Sequence, residues 1–209
     1  MKKLSMWVIA LLLVGATSVA AAVTPQGLAD DAMAIEQSWT AWLLGGRSNA
    51  LLAEDFCGEV VDGRFFFTVS LGTGATELEC EVPVGTEGIV SPFGAISWAP
   101  TDGKTGTQLF NATFDYLDGV VPRAVSVTVD GTTLPKEPML CSYPFTIALE
   151  PGNSLQQIDP NVTGDSTKAV TCGWFYVVEP LLPGAHTIDV TGKIKGSPAF
   201  ELGYNVTVA

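Results

Sequence analysis

Alternating oxygen-bearing side chains occur at 159–165, where the chain reads D-P-N-V-T-G-D. Asp159, Asn161 and Asp165 have the spacing of ligands in the first half of a calcium loop, and Gly164 stands where such a loop bends sharply. Val170 occupies the position at which an EF-hand loop places its bidentate glutamate. The segment is therefore either a calcium site, in a calcium-dependent interaction module without other cofactors, or an ordinary turn rich in Asp and Asn.

Aromatic side chains suggest a second chemistry, because ligand sites are commonly lined by aromatic residues with a few polar groups. Trp98, Tyr116, Trp174, Phe175 and Tyr176 are the candidates for such a platform. Trp174 and Tyr176 share the parity expected of a core-facing strand, which leaves Phe175 on the opposite face. Trp98 and Phe175 are accordingly the expected exposed ligand-binding residues, and carbohydrate is one ligand that they would suit.

Catalytic signatures are absent from the sequence, which contains no G-x-S-x-G, H-E-x-x-H or G-x-x-x-x-G-K-[ST] motif. His186 is the only histidine, and it shares parity with Ile188 and Val190, as expected of a hydrogen-bonded structural residue. The alternative is a hydrolase of the glycosidase type, since 22 acidic residues supply many carboxylate pairs. The sequence selects no pair, so no catalytic residue is assigned and a binding or structural module is favoured over an enzyme.

Four cysteines, an even number, suggest a disulfide framework in an exported chain. We predict bonds between Cys57 and Cys80 and between Cys141 and Cys172, because each pair would close a short segment of two neighbouring strands and their loop. A zinc site is disfavoured because the sequence has no C-x-x-C spacing and a single histidine.

The N-terminus has the organisation of a signal peptide. Lys2 and Lys3 precede an apolar run from Met6 to Val14, and an A-x-A site ends at Ala22. Cleavage would leave a mature domain of residues 23–209, secreted, periplasmic or at the cell surface. Because residues 1–22 hold two lysines and no acid, cleavage also shifts the net charge from −12 to −14. So acidic a domain disfavours nucleic acid and membrane surfaces as partners. The charge does not name a positive partner, and the expected one is an unidentified extracellular ligand, either a carbohydrate or a protein.

One amphipathic helix is expected from about Pro25 to Leu44. Thr24 and Pro25 form a start signal, and Gly45 and Gly46 an end signal. Apolar residues recur at helical spacing between them, at Leu28, Ala32, Ile35, Trp39 and Trp42. The two tryptophans are expected in the core, since they lie on the apolar stripe.

After Cys57 the hydrophobic period changes to two, which indicates half-buried strands. Asp130 and Gly131 form a two-residue hairpin signal, and the last hairpin joins 186–190 to 200–208. Residues Glu150 to Lys168 are mostly polar and are interpreted as a long loop. Several short strands and a single helix predict one all-β domain, an antiparallel β-sandwich or jelly roll.

Three features support this fold by resemblance. They are the tryptophan-bearing helix, the C-x-V-P-x-G segment at 80–85, and the hairpin that begins P-L-L-P-G-A-H-T-I at 180–188. Together they resemble a group of uncharacterised exported β-sandwich proteins over most of the mature chain. The resemblance implies the fold and carries no activity with it.

Overall fold

The structure is a computed structural model, which describes residues 25–46, 56–68, 75–118, 125–135, 139–193 and 199–209. The predicted signal peptide, residues 1–22, lies outside the described residues. Within the described residues, no helix is long and apolar enough to cross a membrane.

The described residues form three helices and eleven strands. The helices are α1 (Pro25–Gly45), α2 (Gly106–Asp118) and α3 (Ser154–Ile158). The strands are β1 (Gly58–Val61), β2 (Arg64–Phe67), β3 (Ala75–Val82), β4 (Glu87–Trp98), β5 (Ser126–Val129), β6 (Thr132–Thr133), β7 (Leu140–Cys141), β8 (Phe145–Ala148), β9 (Ser166–Val178), β10 (Gly184–Lys193) and β11 (Ala199–Val208).

The strands form two packed sheets, which confirms the predicted all-β sandwich. Sheet A has the order β1-β2-β4-β9-β7, with β8 also paired to β9, and sheet B has the order β3-β11-β10-β5-β6. Most strand pairs are antiparallel as expected, and two depart from that arrangement, since β2 pairs with β4 and β3 with β11 in parallel. The chain leaves sheet A after β2, passes through β3 in sheet B and returns as β4, so that β2 and β4 run in the same direction.

The space between the sheets holds the main core, built from alternate residues of each strand. Phe67 of sheet A and Tyr204 of sheet B have ring centroids 4.9 Å apart, and the Tyr204 hydroxyl donates to the carbonyl of Thr68. Leu109 and Leu117 of α2 join the same cluster. The apolar residues at every second position of the sequence are thus the ones that face this core.

Helix α1 covers the outer face of sheet A, as its apolar stripe predicts. Ile35, Trp39 and Trp42 are buried against Phe66 and Phe175. At the end of the helix Gly45 allows close approach to β8, since a Cβ at this position would lie 2.3 Å from the carbonyl oxygen of residue 148. Both expectations for α1, its extent and its buried tryptophans, are confirmed.

Both predicted disulfides are present. Cys141 and Cys172 are direct partners on the neighbouring strands β7 and β9. Cys57, just before β1, is bonded to Cys80 of β3 and so joins the two sheets. The bond between Cys57 and Cys80 therefore does not join neighbouring strands as expected, because β3 lies in sheet B whereas β1 and β2 lie in sheet A.

The expectation of a single helix is wrong. Helix α2 begins with a capping box, in which the Gln108 amide donates to the Thr105 hydroxyl while the Gln108 side chain accepts from the Thr105 amide. Helix α3 lies within the stretch interpreted as a loop, and Asn153 caps it by accepting from the amide of Gln156 at 2.9 Å. Each cap satisfies backbone donors that the first turn leaves free.

Candidate functional site

An open cleft of about 380 Å³ lies where β4 ends and β9 begins. Its walls come from the turn after β4, from β8, from the loop that follows α3, and from the start of β9. Six lining residues carry hydrogen-bonding side chains and three are apolar: Thr146, Asn161, Thr163, Ser166, Thr167 and Lys168, with Ala99, Pro100 and Val162. The cleft therefore offers mainly hydroxyl and amide groups, with one cation and no acid.

Backbone pairing fixes two of these walls. The amide of Ala99 donates to the carbonyl of Lys168 at 2.9 Å, and the hydroxyl of Thr167 donates to the carbonyl of Ala99 at 2.7 Å. On the other side Thr146 of β8 is the register partner of Lys168. The cleft is thus built on strand ends that hydrogen bonds hold in place.

The carboxylate of Asp159 links the turn after β4 to the loop that follows α3, and both of these segments line the cleft. One oxygen accepts hydrogen bonds from the Trp98 indole, at 2.7 Å, and from the Thr101 hydroxyl. The other accepts from the backbone and side-chain nitrogens of Asn161, at 3.0 and 2.9 Å. The hydrogen bond from Thr101 has the largest effect on the pKa of Asp159, followed by that from Trp98, and the pKa is lowered to about 2. The carboxylate of Asp159 is therefore ionised at neutral pH.

The calcium-loop candidates lie in this same region, but as parts of a turn. Asp159 already accepts four hydrogen bonds, which equals the acceptor capacity of a carboxylate. Asp165 is exposed, and its backbone carbonyl accepts from the amide of Leu149. Over the described ranges, no group of three or more His, Cys, Asp or Glu side chains could hold a metal ion. The D-x-N pattern thus serves an Asx turn that positions the cleft loop.

The two aromatic candidates have different positions. Trp98 is half-buried beside the cleft, with its indole nitrogen directed at Asp159. The expected exposure of Phe175 is wrong: its ring is only 6% exposed and meets Trp39 edge to face, with centroids 5.5 Å apart. The expectation assumed that one face of sheet A is open to solvent, whereas α1 covers that face.

Exposed aromatic residues do occur elsewhere, and Tyr116 is the one of them that belongs to the candidates predicted from the sequence. Phe110 and Phe114 of α2 stack with centroids 6.1 Å apart and an interplanar angle of 10°. Their exposed fractions are 39% and 43%, and Tyr143 is 73% exposed. The T-x-x-Q capping box at 105–108 is the signal that would have placed these phenylalanines on a helix.

His186 has the structural role expected from its position. Its Nδ1 lies 2.7 Å from the Asp130 carboxylate and its Nε2 lies 2.8 Å from the carbonyl oxygen of Leu182. Since both partners are acceptors, only the doubly protonated imidazolium satisfies both bonds. The bond to Asp130, followed by that to Leu182, raises the pKa of His186 above its usual value. The pair fastens the Asp130-Gly131 turn to β10, and both turn residues have positive φ, as a type I′ hairpin requires.

Several buried polar side-chain atoms of α1 and α3 have no hydrogen-bond partner. Both carboxyl oxygens of Glu36 lack a hydrogen-bond partner, and so do the indole nitrogen of Trp39 and the hydroxyls of Thr40 and Ser154. Glu36 is fully buried, and this burial raises the pKa of its carboxyl to about 8. An unpaired buried carboxylate is costly, so the folded chain holds Glu36 as a neutral acid at pH 7.

Comparison with known proteins gives only distant likenesses. No family model and no curated protein matches the chain. Among solved structures, "Structure of PbICP-C in complex with falcipain-2" is 13% identical, covering 68% of this chain and 95% of that one, with a TM-score of 0.26. "Solution Structure of Amebosin" is 12% identical, covering 66% and 99%, with a TM-score of 0.21. Neither likeness is close enough to say what this chain does.

Proposed function

We propose that this chain is an exported binding module and that the cleft at the start of β9 recognises carbohydrate. The signal-like N-terminus and the two disulfides support export, because disulfides persist in oxidising compartments. The observation that carries the ligand class is the lining of the cleft, in which hydroxyl and amide side chains surround a small apolar surface.

The lining matches the chemistry of a sugar. Each sugar hydroxyl both donates and accepts hydrogen bonds, and so do the hydroxyls of Thr146, Thr163 and Ser166. The side chain of Asn161 donates through its amide nitrogen and accepts through its carbonyl oxygen. Pro100 supplies an apolar surface for the C–H face of a pyranose ring. A site of this kind binds a neutral polar ligand through several modest hydrogen bonds, so its affinity depends on their number.

Binding is favoured over hydrolysis because the cleft lacks the catalytic pair. Glycosidases of the common type place two carboxyl groups on either side of the scissile bond. None of the nine lining residues is Asp or Glu, and the nearby Asp159 directs its oxygens into four internal hydrogen bonds. The hydrolase is the alternative that an assay for released reducing ends would reveal.

The test is retention of the mature domain, residues 23–209, by a panel of immobilised polysaccharides that includes cellulose, chitin, xylan and peptidoglycan. The cleft variant is T146V/T163V, which removes two hydroxyls without changing side-chain size. The matched control is T191V/T207V, at two exposed positions of sheet B.

We expect one polysaccharide to retain the wild-type domain and the cleft variant to bind it about 10-fold to 100-fold more weakly, while the control binds as the wild type does. Lack of retention by every polysaccharide, or equal weakening by both variants, would contradict the proposal.

A further inference from the structure

Strand β3 forms one edge of sheet B. Among the described strands its hydrogen-bonded neighbour is β11, which pairs with it in parallel along its whole length. Leu78, Cys80 and Val82 point into the core between the sheets. The strand is therefore fixed at one edge and on its inner face. Its other edge, which we call the open edge, has no strand partner within the part of the chain that the structure describes.

The backbone groups of three glutamates face the open edge. The amide of Ala209 donates to the carbonyl of Val82 at 3.2 Å, so the backbone groups of Val82 are directed towards β11. Backbone groups alternate in direction along a strand, so those of Glu77, Glu79 and Glu81 are directed the opposite way. Such an edge presents a row of N–H and C=O groups that can pair with a further strand.

The side chains of the same glutamates form an acidic row on the solvent face. All three are exposed and alternate with the buried residues of β3. Glu79 accepts a hydrogen bond from the side chain of Asn205 at 2.9 Å, and neither Glu77 nor Glu81 forms an ion pair with a described residue. On a strand added at the open edge, the Cβ atoms of the residues directly opposite would lie about 5 Å from those of the glutamates. The acidic row therefore determines which side chains such a strand can place there.

Charge selects the occupant of the open edge. Opposite charges directly across two paired strands stabilise the pair, whereas like charges destabilise it. A second copy of this chain that paired in register through its own β3 would place glutamates against glutamates, and each copy carries a net charge of −12. A strand with lysine or arginine at alternate positions places a cation opposite each glutamate instead.

We propose that the open edge of β3 is a docking site for an extended basic segment of a partner protein, which adds to sheet B as a further strand. In this mode of recognition main-chain hydrogen bonds supply affinity and alternate side chains supply specificity. Here the backbone groups of Glu77, Glu79 and Glu81 make the main-chain bonds, and their carboxylates select the cations. The proposed carbohydrate cleft is built on strands of sheet A, so the docking site is separate from it and does not depend on it.

The test uses a fluorescent peptide that alternates lysine with threonine, titrated with the mature domain and followed by anisotropy. Two control peptides separate its charge from its backbone. One alternates serine with threonine and has no charged side chain. The other keeps the lysines and carries a methyl group on each backbone nitrogen, so that its backbone cannot donate hydrogen bonds.

Three variants of the domain test the open edge from the other side. E77Q/E81Q removes charge from the acidic row. E79P removes a backbone donor of the open edge, and proline is tolerated on an edge strand where its missing N–H would face solvent. The matched control is D189N/E201Q, which removes two exposed acids from the inner strands β10 and β11 of the same sheet.

We expect the lysine–threonine peptide to shift the amide resonances of residues 75–82 in ¹⁵N-labelled protein. E77Q/E81Q and E79P should each weaken its binding about fivefold or more, whereas D189N/E201Q should bind it as the wild type does. The methylated peptide should not bind, and it tests the backbone pairing even if E79P does not fold.

Lack of binding by the lysine–threonine peptide would overturn the proposal, as would equal binding of the methylated or the uncharged peptide. Equal weakening by D189N/E201Q would also overturn it, because the effect would then come from the overall charge of the domain. So would a dimer in sedimentation that E79P abolishes, since the open edge would then belong to a second copy of this chain.

Discussion

Replacing Glu36 with Gln should change how the stability of this domain depends on pH. The variant keeps the shape of the side chain and removes its ionisation. In the unfolded chain the carboxyl titrates near 4.5, whereas burial of Glu36 raises the pKa of this carboxyl in the folded chain to about 8. As pH rises between these values the unfolded state loses its proton and the folded state does not. The wild type therefore becomes less stable across this window, and E36Q escapes that loss.

The magnitude follows from linkage. Each pH unit between the two pKa values costs the folded wild type about 1.4 kcal/mol. From pH 4.5 to pH 7 the free energy of unfolding should fall by roughly 3 kcal/mol relative to E36Q. This is a large share of the roughly 5 to 15 kcal/mol that is usual for a whole domain.

The assay is urea-induced unfolding at pH 4.5, 6, 7 and 8.5 with the disulfides intact, followed by tryptophan fluorescence. Trp39 and Trp42 report directly on the docking of α1. The control is E77Q, which removes an exposed carboxylate from β3. A constant difference between E36Q and wild type at all four pH values would refute the argument. So would a carbon NMR titration that places the ionisation of Glu36 below pH 6.

Two further substitutions test the other charged contacts. D159N replaces an acceptor of the Trp98 indole with an amide and should cost about 2 kcal/mol at pH 7. The stability advantage of the wild type over D159N should shrink as the pH falls from 3.8 towards 2. The reason is that Asp159, whose pKa is lowered in the folded chain, contributes its full stabilisation only above its pKa in the unfolded chain. Equal urea midpoints of the two proteins at pH 7 would contradict this prediction. H186N should lower the melting temperature most between about pH 4 and 6.5, where His186 is charged and Asp130 ionised. The difference should fade as the pH rises through the raised pKa of His186, and an equal difference at pH 6 and pH 9 would contradict it.

Local signals in the sequence accounted for those parts of the fold that local chemistry determines. The stripe containing Trp39 and Trp42 predicts α1, and the Asp130-Gly131 turn predicts its hairpin, since each depends on a few adjacent residues. The parallel pairing of β3 with β11 could not be predicted in this way. It joins strands that are far apart in the chain, and hydrophobic period alone does not define strand direction.

The candidate site shows the same division. The calcium-loop pattern contains Asp159 and Asn161, whereas Trp98 belongs to the aromatic candidates. The fold brings all three together at the cleft, where a hydrogen bond joins Trp98 to Asp159 across a separation of 61 residues. Phe175 shows what alternation along a strand cannot predict. Alternation indicates that the side chain points away from the core between the sheets, but not that helix α1 covers the opposite face. Phe110 and Phe114 show a second limit, because the signal in the sequence that places them on a helix is as short as the capping box at 105–108.

The position of β11 has a consequence for how the chain is made. Residues 199–208 lie between β3 and β10 in sheet B, so β3 has no hydrogen-bonded neighbour among the described strands until β11 is present. A ribosome releases β3 long before β11, and long-range pairing of this kind is slow. Sheet B therefore cannot be completed before residues 199–208 have been synthesised. During that interval the nascent β3 lacks its strand partner, and an unpaired strand edge of this kind is open to pairing with another chain.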